Sequence, residues 1–366
     1  MTFPLLVAQG DPVEIGASYG EQARALIEGN VEDYRARFRA VDLGTTEVRR
    51  LGEAFRTATH EHTPRIAATL DAVAEGCGVA VGDIYAINAR TELMLPAGMT
   101  ATECTSVAVM PEMTVSGHTL LAQNWDWFPS QRPYTLVLAT RDERGHEIVC
   151  LTEAGMLAKT GLNSTGVGVC VNLLHCDRDG VPGGVPYHVL IRAALDQPHG
   201  ISPALKVTSL PRSASINLLI GAAGGVAVDL EIAPGATGRL LPTDGLLTHA
   251  NHFVSDIDVR DAIYDIGGSS LFRDYRLRQL LASSAADQAV STSDVAAALR
   301  DHLGFPYAIC RHVNHEDAAE LQSLTCSSVV MDLDEQVMLV SDGPPCGSAF
   351  REISLGTVFD SQSSAA

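Results

Sequence analysis

The sequence predicts an α+β fold: a helical leader, then a strand-rich body with helices set between its strands. Three observations predict it. The first hundred residues place apolar side chains at helical spacing. The texture changes at Pro96–Thr102. From Thr105 on, short β-type runs alternate with turn residues in series that look antiparallel, which argues for layers rather than a doubly wound sheet.

The elements follow in order. Asp11-Pro12-Val13-Glu14 is a helix start, with a capping Asp, Pro in the first turn and Glu three residues after the cap. Behind it Ile15, Tyr19, Ala23, Leu26, Ile27, Val31, Tyr34 and Phe38 form one stripe. A second helical stretch runs from Thr46 to Ala74 with Pro64 as a break or kink. Gly76-Cys77-Gly78 ends it, and 83–95 gives a third helix. Strands are predicted at 106–110, 119–123, 134–140, 147–151 and 166–173, then helices at 186–195 and 202–210. Strands return at 215–220, 226–232 and 245–249, helices at 269–281 and 293–303, and strands at 327–333, 336–341 and 349–355. The spacing shows no internal repeat and no linker beyond the change at 96–102.

Of the 366 residues, 46% are hydrophobic and 19% charged, which supports a buried core and excludes disorder. Asp plus Glu exceed Lys plus Arg by 44 to 25, a formal charge of −19. Such a surface repels nucleic acid and anionic lipid. No apolar run reaches a membrane span, and the amino terminus lacks a basic leader, so the expected location is the cytoplasm. The eight cysteines form no CxxC pair and mostly sit in apolar runs, as reduced core thiols do.

Phosphate-loop, dinucleotide-fold and nucleophile-elbow signatures are absent. His249/His252, His312/His315 and His60/His62 are close pairs with no additional ligand set evident beside them, so no metal and no cofactor are expected. Asp332-Leu333-Asp334-Glu335 reads as a charged hairpin turn. Cys104 differs from the other cysteines. It stands among small and hydroxyl residues at the switch from leader to first strand. A cut between Glu103 and Cys104 would give it a free α-amine beside its thiol, a neutral-pH base attached to its own nucleophile.

The motifs Ala122-Gln-Asn-Trp-Asp-Trp127, Leu151-Thr-Glu-Ala-Gly155, Gly161-Leu-Asn-Ser-Thr-Gly-Val167, Thr248-His-Ala-Asn-His252 and Phe305-Pro-Tyr-Ala-Ile-Cys-Arg311 occur in this order. Together with Gly10-Asp-Pro-Val-Glu-Ile-Gly16 they resemble the acyl-coenzyme A:isopenicillin N acyltransferase family of cysteine amino-terminal-nucleophile (Ntn) hydrolases, over nearly the whole chain. The resemblance implies a four-layer αββα sandwich and a precursor that cuts itself before its nucleophile. The products would be residues 1–103, retained as a partner chain, and a catalytic chain of residues 104–366, together one domain.

By resemblance Cys104 is the nucleophile in self-cleavage and catalysis, and Asp126 the acid near the new amine. Asn251 would supply the oxyanion donor. Asn172 looks like the second asparagine of related bile-salt hydrolases, with a plain strand or turn asparagine as the alternative. Gln123 occupies the place where those relatives carry an arginine, so a charge partner is missing there. Thr105 is either a hydroxyl for the substrate or a strand residue. Trp125 and Trp127 either line an acyl pocket or pack between layers. Arg311 matches a family arginine of open role. Glu103 departs from the glycine of the fungal acyltransferase, which favours slower processing. The Ser-Arg pair that enzyme carries late in its chain is replaced by Glu320-Leu-Gln-Ser-Leu-Thr325, which puts penicillin chemistry in doubt.

The expected function is a self-processing amidohydrolase that cleaves a small-molecule N-acyl amide through a Cys104 thioester. Acyl transfer to an amino acid or β-lactam nucleus is the alternative within the class. An uncut, silent binding protein on the same fold is the alternative outside it, and a histidine-based metallohydrolase stands third. Homo-oligomerisation stays open.

Overall fold

β1 (Leu5–Gly10) opens the chain in the computed structural model, which describes residues 2–95, 104–180, 183–266, 268–287, 289–319 and 321–360. Asp11 then caps α1 (Pro12–Gln22). Its Oδ1 accepts from the Val13 and Glu14 N–H groups at 2.8 and 2.9 Å, and Glu14 Oε2 accepts from the Asp11 N–H at 2.9 Å. The single stripe expected to Phe38 is interrupted at Ala23, after which α2 (Arg24–Ala40) starts. Pro64 does not kink a helix; it starts one. α3 (Thr45–His62) stops and α4 (Pro64–Cys77) begins at that proline, where no N–H is needed. α5 (Val81–Asn88) and α6 (Arg90–Met94) complete the leader. α1 and α4 cross closely because Gly16 leaves room: a Cβ there would lie 2.2 Å from the Thr69 carbonyl oxygen.

The body contains β2 (Cys104–Val109), β3 (Leu120–Trp127), β4 (Thr135–Asp142), β5 (Glu147–Glu153), β6 (Thr160–Asn163) and β7 (Val167–Leu173). Then come α7 (Tyr187–Leu195), α8 (Ile201–Ala204), β8 (Ile216–Ala222), β9 (Val226–Ala233), β10 (Ala236–Leu240) and β11 (Leu246–His249). α9 (Ile263–Ile266), α10 (Ser270–Asp287), α11 (Thr292–Ala298), β12 (Leu324–Asp332), β13 (Val337–Ser341), β14 (Phe350–Ser354) and α12 (Leu355–Val358) close the chain. The helix expected over 202–210 is one α-turn continued as a tighter 3-10 segment, and the one over 293–303 stops at Ala298.

Two sheets form. One has eight strands in the order β1-β4-β5-β6-β7-β8-β9-β10, and the other six in the order β11-β2-β3-β12-β13-β14. Every pairing is antiparallel except β1 with β4, where Leu5 lies opposite Val137. The sheets face each other through β2 and β3 against β7 and β8. Gly168 and Gly221, opposite each other in β7 and β8, admit Leu121 and Leu333 of the other sheet. A Cβ on Gly168 would meet Leu333 Cδ2 at 2.5 Å. Outside the six-stranded sheet, Leu277, Leu281, Val295 and Leu299 of α10, α11 and the residue after it cover Val107, Val109, Leu120 and Ala122. Outside the eight-stranded sheet lie α1 and α7. The order helix, sheet, sheet, helix is the expected four-layer sandwich. Central strands such as β7 and β8 are buried on both faces, so they read as continuous apolar runs rather than as alternations. Among the described residues no helix is long and apolar enough to cross a membrane.

Candidate active site

Cys104 is the first residue of β2, set between β11 and β3 in the sheet that faces β7. Its backbone N–H donates to Asn251 Oδ1 at 2.6 Å, so the nitrogen that a cut would turn into an amine is already held. Glu103 lies outside the described residues. Burial pushes the Cys104 thiol up to about 11, and the Asp126 carboxylate adds to it. The Asp126 backbone N–H and the cations Lys159 and Arg273 pull the other way.

Asn251 follows β11 and is a junction. Besides Cys104, its Oδ1 accepts from Arg273 Nη2 at 3.0 Å, and its Nδ2 donates to the Leu173 carbonyl at 2.9 Å. An amide nitrogen carries two hydrogens. Leu173 takes one, and among the described residues no bond uses the other. The Asn251 N–H is itself tied to Ser270 Oγ at 2.7 Å. Two donors on Oδ1 fix which way the amide points.

Arg273 is a residue that sequence reasoning missed. It sits on α10, fully buried. Nη1 donates to the Cys104 carbonyl at 2.7 Å and to Thr105 Oγ1, and Nε donates to Ser269 Oγ at 3.1 Å. Nothing in Phe272-Arg-Asp-Tyr-Arg-Leu-Arg278 marks it, because three arginines share that helix stretch. Their partners distinguish them: Arg276 pairs with Asp301 and Arg278 reaches Leu246 and Thr243.

The other expected residues divide. Asp126 is fully buried on β3 and accepts from Thr325 Oγ1 at 2.6 Å, across the β3–β12 pair. Asn172 accepts from Ser106 Oγ at 2.7 Å and Asn217 Nδ2 at 3.2 Å, so it meets β2 two residues past Cys104. Trp125 and Trp127 line a small pocket together with Cys104.

Three residues expected near the substrate are not among those that line this pocket. Thr105 neighbours Cys104 and therefore points to the opposite face of the strand, toward Arg273 on α10. Gln123 joins the two sheets: its amide bonds both backbone groups of Val171, and Thr160 Oγ1 donates to it at 2.6 Å. Its polar atoms are spent on β6 and β7 and not on the pocket. Arg311 is placed against Ser323, Thr325 and the Tyr307 ring, behind Asp126 and outside the pocket walls.

Two cations stand in the pocket wall. Lys159 and Arg90 both line the pocket. Lys159 Nζ lies 4.3 Å from the Trp125 ring centre, and the Arg90 guanidinium 3.7 Å from that of Trp127. Both cations hold Glu153, at 3.0 and 3.1 Å, and Tyr34 donates to the same carboxylate at 2.5 Å. Against the upward push of burial, these cations keep Glu153 ionised, down at about 2. One carboxylate does not balance two cations. Burial, with Arg90 adding repulsion, lowers Lys159 to about 8. Lys159 is one of two lysines in the chain and ends an apolar run, Met156-Leu-Ala-Lys159, a signal that could have been read.

Residues 113–343 match the model of the acyl-coenzyme A:6-aminopenicillanic acid acyl-transferase family. Over 251 residues the chain is 29% identical to the acyl-coenzyme A:6-aminopenicillanic-acid-acyltransferase 40 kDa form of Emericella nidulans, covering 68% of each protein. Among solved structures it is similar to penicillin V acylase from Agrobacterium tumefaciens, at 13% identity and a TM-score of 0.43 over 69% of this chain and 87% of that one. A mutant of the conjugated bile acid hydrolase from Clostridium perfringens is similar at 10% identity and a TM-score of 0.46, over 69% and 92%.

Proposed function

Starting from a chain that belongs to the acyl-coenzyme A:6-aminopenicillanic acid acyl-transferase family, we propose a cysteine amidohydrolase that matures by cutting itself before Cys104. The observation that carries this reading is the hold of Asn251 on the backbone nitrogen of Cys104, a cysteine that also lines a pocket. In maturation the thiol attacks the Glu103 carbonyl carbon, the amide nitrogen leaves with a proton as the new α-amine, and water releases the carboxylate of residue 103. In turnover the α-amine takes the thiol proton while sulfur attacks the substrate amide. The tetrahedral oxyanion is met by the remaining Asn251 Nδ2 hydrogen. Collapse forms the thioester and passes the proton to the leaving amine, and water then frees the acid. Arg273 holds Asn251 and the Cys104 carbonyl in register. Asp126 and Asn172 position rather than react: the first orients the amine, the second anchors Ser106 beneath it.

The substrate is a small N-acyl amide whose acyl end lies against Trp125 and Trp127. Two cations sharing one carboxylate there suit a polar or anionic end. A thiol nucleophile suits a reducing cytoplasm. Transfer of the acyl group to an amine is the second reading, favoured by the fungal relative's being an acyltransferase.

A mass spectrum of the purified protein tests maturation. The 38.8 kDa chain becomes fragments of roughly 11 and 28 kDa by share of length, whereas Cys104→Ala stays whole and hydrolyses nothing. Wild type that stays intact after long incubation at neutral pH sinks the maturation claim. Turnover by Cys104→Ala sinks the mechanism. Added amine that captures acyl groups at the expense of free acid identifies a transferase.

A further inference from the structure

The sequence expectation of no metal rests on histidine pairs at short spacing, such as His312 with His315. Folding selects a different set. His302, Cys310, His312 and Cys346 bring one ligand atom each to within 4.8 Å of all the others. Three come from the segment between α11 and β12, where residues 299–323 hold neither helix nor strand among the described residues. The fourth comes from the turn between β13 and β14.

The distances suit a tetrahedral ion. With bonds of about 2.05 Å to nitrogen and 2.3 Å to sulfur, tetrahedral zinc places two nitrogens about 3.3 Å apart and nitrogen and sulfur about 3.6 Å apart. Here His302 Nε2 lies 3.1 Å from His312 Nε2, which lies 3.6 Å from Cys310 Sγ and 3.4 Å from Cys346 Sγ. Hydrogen bonding alone does not account for this. The Nε2 of a neutral imidazole has either one hydrogen or one lone pair, and His312 Nε2 has three close partners. A cation at the centre removes the conflict, since all four atoms then direct lone pairs at it. The surroundings fit as well. The Phe305 ring packs over both imidazoles, with ring centres 6.2 and 5.3 Å away.

We infer that His302, Cys310, His312 and Cys346 form a structural zinc site. Binding releases two thiol protons to solvent, and two thiolates neutralise the divalent ion. Four protein ligands leave no open position, so the ion takes no part in the reaction. Its work is to pin the segment that carries Arg311. The Arg311 N–H donates to Thr325 Oγ1 at 2.8 Å, and that hydroxyl donates to Asp126. The metal therefore braces the back of the active site.

The test uses the full chain and zinc alone. Protein stripped with chelator, reloaded with zinc and dialysed should hold about one zinc per chain, falling below about a tenth in His302→Ala and in Cys346→Ser. Cobalt in place of zinc should give the strong visible bands of a tetrahedral thiolate site. Reloaded wild type with less than about a tenth of an ion per chain overturns the site. A Cys310–Cys346 disulfide in peptides mapped without reductant overturns it equally.

Discussion

Replacing Arg273 with lysine keeps the charge and removes the fork. The guanidinium reaches Ser269 Oγ, the Cys104 carbonyl, Thr105 Oγ1 and Asn251 Oδ1 from three nitrogens spread in one plane. An ammonium is a point with three donors and does not span the Cys104 carbonyl and Asn251 Oδ1 together. Hydrogen bonds to charged groups are worth about 1.5–3 kcal/mol net each, so losing two predicts about 3–6 kcal/mol. The kept charge argues for the lower end. Urea unfolding of Arg273→Lys should therefore show a fall of about 3 kcal/mol. The kinetic effect arises separately. Asn251 loses the partner that fixes Oδ1, and a displacement near 1 Å costs about 10²-fold in rate. Steady-state assays at a temperature where both proteins are folded should give a kcat about 10²-fold lower with KM little changed. A variant within about threefold of wild type in kcat, and within about 0.5 kcal/mol in stability, would refute the role assigned to Arg273.

Asn251→Ala should lower kcat by about 10²–10³-fold through the lost oxyanion donor. It should also destabilise the fold by about 2–4 kcal/mol, because the Cys104 N–H, the Leu173 carbonyl and Arg273 all lose a partner. A loss of activity under about threefold would make Asn251 purely structural. His249 supplies a pH prediction. Its two nitrogens face the Ala250 carbonyl and Glu231 Oε1, both acceptors at 2.9 Å, so both carry hydrogen. Against burial, Asp229 and Glu231 hold it up to about 9. A folded value above the ordinary 6.5 means stability is full below 6.5 and is lost as pH rises toward 9. Lys159, depressed to about 8, acts in the opposite sense above that pH, while Glu92, pushed up to about 8 by burial, adds to the fall below it. The His249 share is therefore the difference between wild type and His249→Gln over pH 6.5 to 8. Across that window urea midpoints should fall, and the His249→Gln slope should be shallower by no more than about 1.4 kcal/mol per pH unit. Equal slopes in the two proteins would remove the charge from His249.

Which parts were legible depends on how local their causes are. The cap at Asp11, the stop at Gly78 and the strand that starts at Cys104 are written in adjacent residues. β1 was not, since its partner β4 lies about 130 residues away and nothing local announces the pairing. The placement of Thr105 and Gln123 away from the pocket was not legible for a related reason. Strand neighbours alternate faces, and which face meets the pocket is settled by the opposite sheet. Arg273 and Arg90 were invisible because an arginine on a helix usually faces water, and only the packed layers bury these two.

Arg90 and β1 come from one side of position 104, and the sheet they complete comes from the other. β1 supplies the edge of the eight-stranded sheet, and Arg90 shares Glu153 with Lys159 in the pocket. A cut before Cys104 therefore severs a bond without releasing a piece. The polypeptide made from residue 104 onward alone would expose the unpaired side of β4, an invitation to aggregate. Timing follows. Scission before both halves have closed around the pocket would leave that edge bare, and the atoms that hold Cys104 are gathered from distant parts of the second half: Asn251 from beyond β11 and Arg273 from α10. If the chain matures as proposed, the cut acts as a checkpoint, a covalent record that this copy has reached its native state. The share of two-band material in a preparation would then count the molecules that folded.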